Sequence, residues 1–108
     1  MKILNYGENV VCFRDYEVQS GTKVFLEAEI KRGERTHQVY LIPKYDHSEC
    51  ANATANFDGT TLELTNFSSG SPRTTPFETV RTRLKDIEAI LADQVVIKEL
   101  KARMNRRN

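Results

Sequence analysis

The residues best suited to chemistry stand together in one short polar segment, Asp46-His47-Ser48-Glu49-Cys50. Its histidine and cysteine would supply an imidazole and a thiolate, both of which are zinc ligands. Structural zinc sites usually combine two such pairs, but the remaining candidates, His37 and Cys12, do not form a second one. The segment therefore favours a solvated connecting loop over a metal site, and we expect neither a bound metal nor a cofactor.

The same segment allows a second interpretation, in which Cys50 is a nucleophile and His47 is its general base. Such a site needs a third group that orients the base, and no family signature surrounds the cysteine. Cys12 lies within an apolar run and is more simply a buried hydrophobic residue. Glu27 and Glu29 alternate along a predicted strand, which is typical of a solvated sheet surface. A thiol or zinc enzyme is therefore the third hypothesis, and we expect a protein without catalytic residues.

Positive charge is concentrated at the carboxyl end of a chain whose formal net charge is only +1. From residue 98 onward a single acidic residue, Glu99, accompanies the cations Lys98, Lys101, Arg103, Arg106 and Arg107. Such a cluster can neutralise phosphates, in which case binding to DNA or RNA would weaken with salt. The simpler alternative is that cations in the last turns of a helix complement its dipole, at ~0.3–1 kcal/mol each. Nucleic-acid binding through this segment is the second hypothesis.

Length and composition limit the fold in which these residues must be positioned. The 108 residues suit one domain with one core, and 39% apolar with 29% charged residues is ordinary globular composition. The sequence contains no run of about 18 apolar residues, the length that a membrane-spanning helix needs. The amino-terminal residues also lack an apolar signal segment, so we expect a cytoplasmic protein with no membrane contact.

The clearest structural signal is a β-hairpin over residues 23–44. The two-residue period of a strand with one buried face is seen in the apolar residues Val24, Leu26, Ala28 and Ile30. A loop at residues 32–35 would pair Ala28 with Val39, so that the apolar residues of both strands share one face. This hairpin is the centre of the predicted sheet.

The opposite face of the hairpin is not purely polar. The same register places Phe25 opposite Ile42, with Tyr40 on the same side, and we assign Tyr16, in a short extended piece at 16–18 before the hairpin, to this face as well. Aromatic and aliphatic groups that are exposed together are typical of surfaces that contact another protein. We therefore predict that Phe25, Tyr40, Ile42 and Tyr16 bind a protein partner.

A second hairpin is predicted downstream by the dipeptide Asp58-Gly59. This dipeptide favours a type I′ turn of two residues, because its residues readily adopt the positive φ angles of that turn. Centring the hairpin on the turn pairs Phe57 with Thr60 and Ala55 with Leu62. The second hairpin extends the same antiparallel sheet.

The strands upstream of the central hairpin are less regular. A strand is predicted over residues 9–14, and Ile3-Leu4 favours a short first strand. A simple antiparallel pairing with the hairpin leaves Asp15 opposite Leu26 on the buried face. A β-bulge near Arg14 would remove that conflict.

The last third of the chain has the period of an amphipathic helix. Its start is predicted at Thr75-Pro76-Phe77-Glu78, which combines a threonine cap, a proline at the first helical position and a capping-box glutamate. Apolar residues then recur at helical spacing at Val80, Leu84, Ile87, Leu91, Ile97, Leu100 and Met104. The stripe changes phase near Asp93, so the segment is either one helix of about 45 Å or a helix bent there. A straight helix would overhang the domain, and its exposed apolar stripe predicts packing on a second subunit, as in a homodimer.

The sequence therefore predicts a single α+β domain over residues 1–108. An antiparallel β-meander of about five to six strands occupies residues 1–67, a linker follows at 68–75, and a C-terminal helix at 76–106 packs on one sheet face. The leading functional hypothesis is a non-catalytic binding protein, a small inhibitor or adaptor of phage or bacterial type that acts through protein–protein contacts. Nucleic-acid binding and a thiol or zinc enzyme are the alternatives.

Overall fold

The computed structural model describes residues 1–46, 50–69 and 76–104. Within them, a six-stranded antiparallel sheet in chain order is followed by helices. The strands are β1 (Lys2–Asn5), β2 (Val10–Glu17), β3 (Lys23–Lys31), β4 (His37–Lys44), β5 (Ala51–Phe57) and β6 (Leu62–Ser69). The helices are α1 (Phe77–Leu91) and α2 (Gln94–Met104). This order confirms the predicted α+β class, a meander of strands followed by a helical layer.

The central hairpin forms between β3 and β4, but its register differs from the prediction by two residues. Ala28 pairs with Leu41 and not with Val39. The connecting loop is wider than predicted, and within it the Gly33 N–H donates to His37 Nδ1 at 3.1 Å. Because side chains alternate with a period of two, a shift of two residues leaves every side chain on its predicted face.

The hairpin of β5 and β6 is displaced in the same way. Phe57 pairs with Leu62 and not with Thr60, so the predicted two-residue turn is wrong. The turn is wider because the Asp58 carboxylate accepts the backbone N–H groups of Thr60 and Thr61, both at 2.8 Å. These hydrogen bonds also hold the pKa of Asp58 below its usual value. The aspartate thus selects an Asx-type turn over the type I′ turn that the dipeptide favours.

The β-bulge predicted in β2 is present. The pairing of β2 with β3 shifts between Phe13 and Tyr16, and Asp15 takes a positive φ of 56°. The irregularity keeps Asp15 out of the core and turns Tyr16 to the buried face, where it pairs with Val24. Two apolar segments of β2 therefore face the same core although they are out of phase in the sequence.

The helical segment predicted over residues 76–106 divides into two helices near Asp93, the position at which the sequence left a bend open. α1 ends at Leu91, and the Asp93 carboxylate accepts the Val95 N–H at 2.9 Å, which caps the start of α2. The phase change of the apolar stripe therefore marks a break between two helices.

The boundaries of the linker and of the first helix also differ from the prediction. Ser68 and Ser69 belong to β6, so the sheet extends beyond residue 67. α1 begins at Phe77 with Pro76 in the cap position, and Pro76 makes no side-chain cap hydrogen bond. Thr75, the predicted cap, lies outside the described residues.

One hydrophobic core lies between the sheet and the helices. The helices contribute the buried residues Ile87, Ile90, Val96, Ile97 and Leu100, and the largest buried side chains of the sheet are Phe13, Leu26, Ile30, Leu41 and Phe57. Each fully buried aliphatic or aromatic side chain contributes ~1.5–3 kcal/mol, so this layer dominates the stability of the fold. Among the described residues, neither helix has the length and apolarity needed to cross a bilayer.

Candidate functional site

The candidate functional site lies on the sheet face that points away from the helices. Strand pairing sets Phe25 beside Lys44, and Ile42 beside Glu27, while Tyr40 follows on the same side of β4. The three hydrophobic residues are each partly buried, and no described helix packs over them. The structure thus brings together three of the four residues predicted to bind a partner. We refer to Phe25, Glu27, Tyr40, Ile42 and Lys44 as the β3–β4 patch.

Lys44 links the charged and aromatic members of the β3–β4 patch. Its Nζ lies 3.2 Å from Glu27 Oε1 and 5.8 Å from the centroid of the Phe25 ring. A solvent-exposed ion pair contributes at most about 1 kcal/mol to folding. The pair therefore matters less for stability than for the shape and charge balance of this surface.

Tyr16, the fourth residue predicted to bind a partner, lies on the other side of the sheet. It is 6% exposed, its hydroxyl donates to Asp93 Oδ2 at 2.5 Å, and its ring meets the Phe13 ring edge-on at 6.1 Å. The bulge at Asp15 is the cause, because one inserted residue reverses the face to which the next side chain points. Tyr16 is therefore a core residue and no part of the β3–β4 patch.

The β5 and β6 part of the same face is polar but nearly uncharged. Its outward residues on the two strands include Asn52, Thr54, Asn56, Asn66 and Ser68. Asparagine is depleted in strands, so its repetition along a strand that is not at the edge is unusual. Neither Asn52 nor Asn56 makes a side-chain hydrogen bond to another described residue. The signal for this surface is visible in the sequence as Asn-Ala-Thr-Ala-Asn, with small residues inward and hydrogen-bonding residues outward.

In the described part of the basic C-terminal segment, the predicted cations do not share one surface. Lys98 and Lys101 are exposed and flank a cleft of about 320 Å³ beside Gly59. Arg103 is 1% exposed, and its Nη1 donates to the Gly7 carbonyl at 3.1 Å, so its assignment to nucleic-acid binding is wrong. The remaining predicted cations at 106 and 107 lie outside the described residues.

The burial of Arg103 follows from helix geometry. It lies seven residues after Val96 and three after Leu100, both of which are fully buried, so the three side chains share one stripe of α2. The Arg32 Nη2 group donates in turn to the Arg103 carbonyl at 2.9 Å. The arginine therefore joins the end of α2 to the sheet instead of facing solvent.

The residues proposed for thiol or zinc chemistry are only partly described. His47 lies outside the described residues, and the residues that are described contain no group of three or more potential metal ligands. Cys12 is 2% exposed, and burial, with a smaller effect of the Glu27 carboxylate, raises the pKa of its thiol. A raised pKa disfavours the thiolate, so Cys12 is a poor nucleophile at neutral pH.

A buried polar cluster joins α1 to the sheet, and sequence patterns did not reveal it. Asp86 is 1% exposed and accepts hydrogen bonds from the Ser20 N–H at 3.0 Å, the Ser20 hydroxyl at 3.2 Å and the Tyr45 hydroxyl at 2.8 Å. The Arg83 guanidinium lies 3.7 Å from the centroid of the Tyr45 ring. Burial of a carboxylate is tolerated when donors satisfy it in this way.

The buried tyrosines Tyr45 and Tyr16 each contact a carboxylate, and Tyr45 also lies beside the Arg83 guanidinium. Burial raises the pKa of both hydroxyls, and the carboxylate that each one contacts raises it further, while the Arg83 guanidinium acts to lower the pKa of the Tyr45 hydroxyl. Both hydroxyls are therefore fixed as neutral donors to Asp86 and Asp93. Neither tyrosine is an activated nucleophile. The two hydrogen bonds, from Tyr45 to Asp86 and from Tyr16 to Asp93, connect the sheet to the helical layer.

Comparison with known protein-family models, with curated protein sequences and with solved structures found no match in any of the three. The class of the protein is therefore defined by its fold and surface alone. It is a two-layer α+β protein that covers one sheet face with helices and leaves the β3–β4 patch on the other face.

Proposed function

We propose that the protein is a non-catalytic binding protein that recognises a protein partner through the β3–β4 patch. The observation that carries this proposal is the position of Phe25, Tyr40 and Ile42, which lie on the same outer face of two paired strands and are partly exposed. Protein interfaces typically place aromatic and aliphatic groups at the centre and polar groups at the rim. Here the amide and hydroxyl groups of β5 and β6 form one side of that rim.

The charges of the patch favour a protein over a nucleic acid. Glu27 and Glu29 lie within the patch or beside it, and each pairs across the strands with one of its hydrophobic residues. Carboxylates at these positions repel phosphate, whereas a protein partner can meet them with lysine or arginine. The proposed role is that of a small inhibitor or adaptor, of phage or bacterial type, that occupies the surface of a cytoplasmic partner.

Nucleic-acid binding is the competing function. Because Arg103 is buried, it depends on fewer of the five cations that the sequence predicted. Lys98 and Lys101 are the predicted phosphate contacts that face solvent in the described part of α2. If they bind DNA or RNA, binding of a fluorescent single-stranded oligonucleotide should weaken steeply with salt and with substitution of both lysines.

A site-specific cross-link tests the proposal. p-Benzoylphenylalanine is placed at Tyr40 in one variant and at Lys98 in another, and each is irradiated in a lysate with and without excess unlabelled protein. We expect Tyr40 to capture a competed protein, because that side chain lies within the patch. Capture from Lys98 alone, or capture that nuclease treatment abolishes, would contradict the proposal.

The captured partner then allows a quantitative test with a matched control. Tyr40→Ala and Phe25→Ala should each weaken the purified complex by about tenfold or more, the scale of a residue central to an interface. Tyr6→Ala is the control, since Tyr6 is an aromatic residue that is 60% exposed and lies outside the patch. Equal affinities for the wild type, Tyr40→Ala and Phe25→Ala would overturn the proposal.

A further inference from the structure

We propose that two copies of this chain join edge to edge through β6 and form one continuous antiparallel sheet. This inference concerns a different surface from the β3–β4 patch and does not depend on the function proposed for that patch. It rests on the burial of the core at β6, on the exposed residues of α1, and on the shape and register of the strand itself.

The hydrophobic core is closed at β2 and incompletely covered at β6. On β2, Val11 and Phe13 are both 0% exposed. On β6, the residues that point to the same core, Leu62, Leu64 and Phe67, are all only partly buried. The core therefore lacks full cover at the β6 edge, where another chain can be added. At the other edge Ile3 of β1 is also 37% exposed, but that strand has only four residues.

The helix above this edge is also incompletely covered. α1 approaches β6 more closely than it approaches any other strand. Along α1, Val80 and Leu84 are partly exposed and Phe77 is 70% exposed, with the Arg81 guanidinium 5.0 Å from its ring centroid. Apolar residues on both layers thus remain in contact with water on the same side of the molecule, which is a mark of an interaction surface.

β6 lacks the features that usually protect an edge strand from pairing. Short length, proline and several charges protect such edges, but β6 has eight residues, no proline and the single charged residue Glu63. The opposite edge strand, β1, has only four residues and begins with a lysine. At the β6 edge the Phe67 N–H donates to the side chain of its own neighbour, Asn66, at 2.9 Å, a local bond that a strand pairing can replace.

The bulge in β6 makes the strand self-complementary. Leu64 pairs with Ala55 and Phe67 pairs with Ala53, so both face the core although three positions separate them. A two-fold axis between Thr65 and Asn66 would set Leu64 of one copy beside Phe67 of the other. The β-bulges of the two copies then lie opposite each other. The apolar residues of both copies therefore share one face of the joined sheet.

The proposed contact involves both layers of the fold. Eight residues at about 3.4 Å each give a strip roughly 27 Å long, so the ~800 Å² per partner of a typical interface requires α1 to contribute as well as β6. A two-fold axis perpendicular to the sheet keeps both helical layers on one side. It also presents two β3–β4 patches side by side on the other face.

Disulfide trapping tests the register. The two-fold pairing sets position 63 opposite position 68 of the second copy, at a Cα separation of about 4.5–5.5 Å that suits a disulfide. In a Cys50→Ser background, the double variant Glu63→Cys with Ser68→Cys should form a covalent dimer on mild oxidation. Each single variant should not, because its two cysteines would lie roughly 17 Å apart across the axis.

Sedimentation equilibrium supplies the independent measurement. The wild-type protein should be a dimer, and Thr65→Lys, which places a charge at the exposed edge, should weaken it by about tenfold or more. Thr60→Lys in the adjacent turn is the control and should leave the dimer unchanged. Tyr40→Ala should also remain dimeric, which separates this test from that of the patch. A monomeric wild type at its highest soluble concentration, or equal trapping of single and double variants, would overturn the proposal.

Discussion

Replacing either buried tyrosine with phenylalanine should weaken the fold in a way that depends on pH. Tyr45 donates to Asp86 at 2.8 Å and Tyr16 donates to Asp93 at 2.5 Å, and each change removes only a hydroxyl. A hydrogen bond to a charged group contributes ~1.5–3 kcal/mol to stability. At neutral pH we therefore expect each single variant to lose a free energy of unfolding in that range.

The pH dependence follows from the raised pKa of both hydroxyls. An unfolded tyrosine ionises near pH 10, whereas Tyr16 and Tyr45 keep their protons to a higher pH in the folded protein. Above about pH 10 the unfolded chain binds fewer protons than the folded one, so the free energy of unfolding falls as pH rises. The full slope is about 1.4 kcal/mol per pH unit for one tyrosine and about 2.7 for both. The contribution is fully present below the unfolded pKa and is lost on the alkaline side.

Urea unfolding followed by circular dichroism between about pH 8 and pH 11 measures this effect. The difference in stability between the wild type and Tyr45→Phe should be constant up to about pH 10 and then shrink. Tyr6→Phe is the control, because Tyr6 is 60% exposed and its hydroxyl makes no hydrogen bond to a described residue. A stability difference for Tyr45→Phe that stays constant through the alkaline range would refute the assignment of Tyr45 as a buried donor.

Two further substitutions test the contacts between the helices and the sheet. Asp86→Ala leaves the Tyr45 hydroxyl and the two Ser20 donors without their acceptor, and it should cost ~3–5 kcal/mol in chemical denaturation. A loss below that of Tyr45→Phe would contradict the cluster. Arg103→Ala should lower the free energy of unfolding by ~2–3 kcal/mol, because the side chain is buried and bonded to the Gly7 carbonyl. Reduced oligonucleotide binding by this variant without loss of stability would show instead that Arg103 faces solvent.

The sequence predicted the faces of the strands better than their pairing. Alternation along β3 depends on burial alone, so Ala28 is correctly assigned to the core. The residue that pairs with Ala28 on β4 depends on the length of the connecting loop. A single contact such as the hydrogen bond between Gly33 and His37 can select one of several possible loop lengths. The same reasoning applies to Asp58, whose side chain decides the turn before β6. Next to each turn the error was of two residues, the smallest shift that preserves the faces; farther along β6 the bulge changes the register by one more residue.

The errors in the candidate site have a different origin. Tyr16 was assigned to the outer face by its distance along β2, although the bulge that reverses its direction had been predicted. Arg103 was assigned by its charge, whereas its spacing from Leu100 places it on the buried stripe. Nothing in the sequence indicated that Asp86 is buried. Its hydrogen-bond donors come from residues 20 and 45, and no local sequence pattern connects those residues with the helix.

The hydrogen bonds between the sheet and the helical layer are distributed unevenly. Their distribution accounts for the incomplete cover of the core at β6. Asp86 and Asp93 of the helical layer bind Tyr45, Ser20 and Tyr16, which belong to β2 or to the segments that follow β2 and β4. No described residue of β6 hydrogen-bonds to either helix, so among the described residues β6 contacts the helical layer through apolar side chains. Apolar contacts are not directional and can be shared with a second molecule without breaking a specific bond. The edge at β6 is therefore where a second copy can bind at the lowest cost to the contacts within the chain.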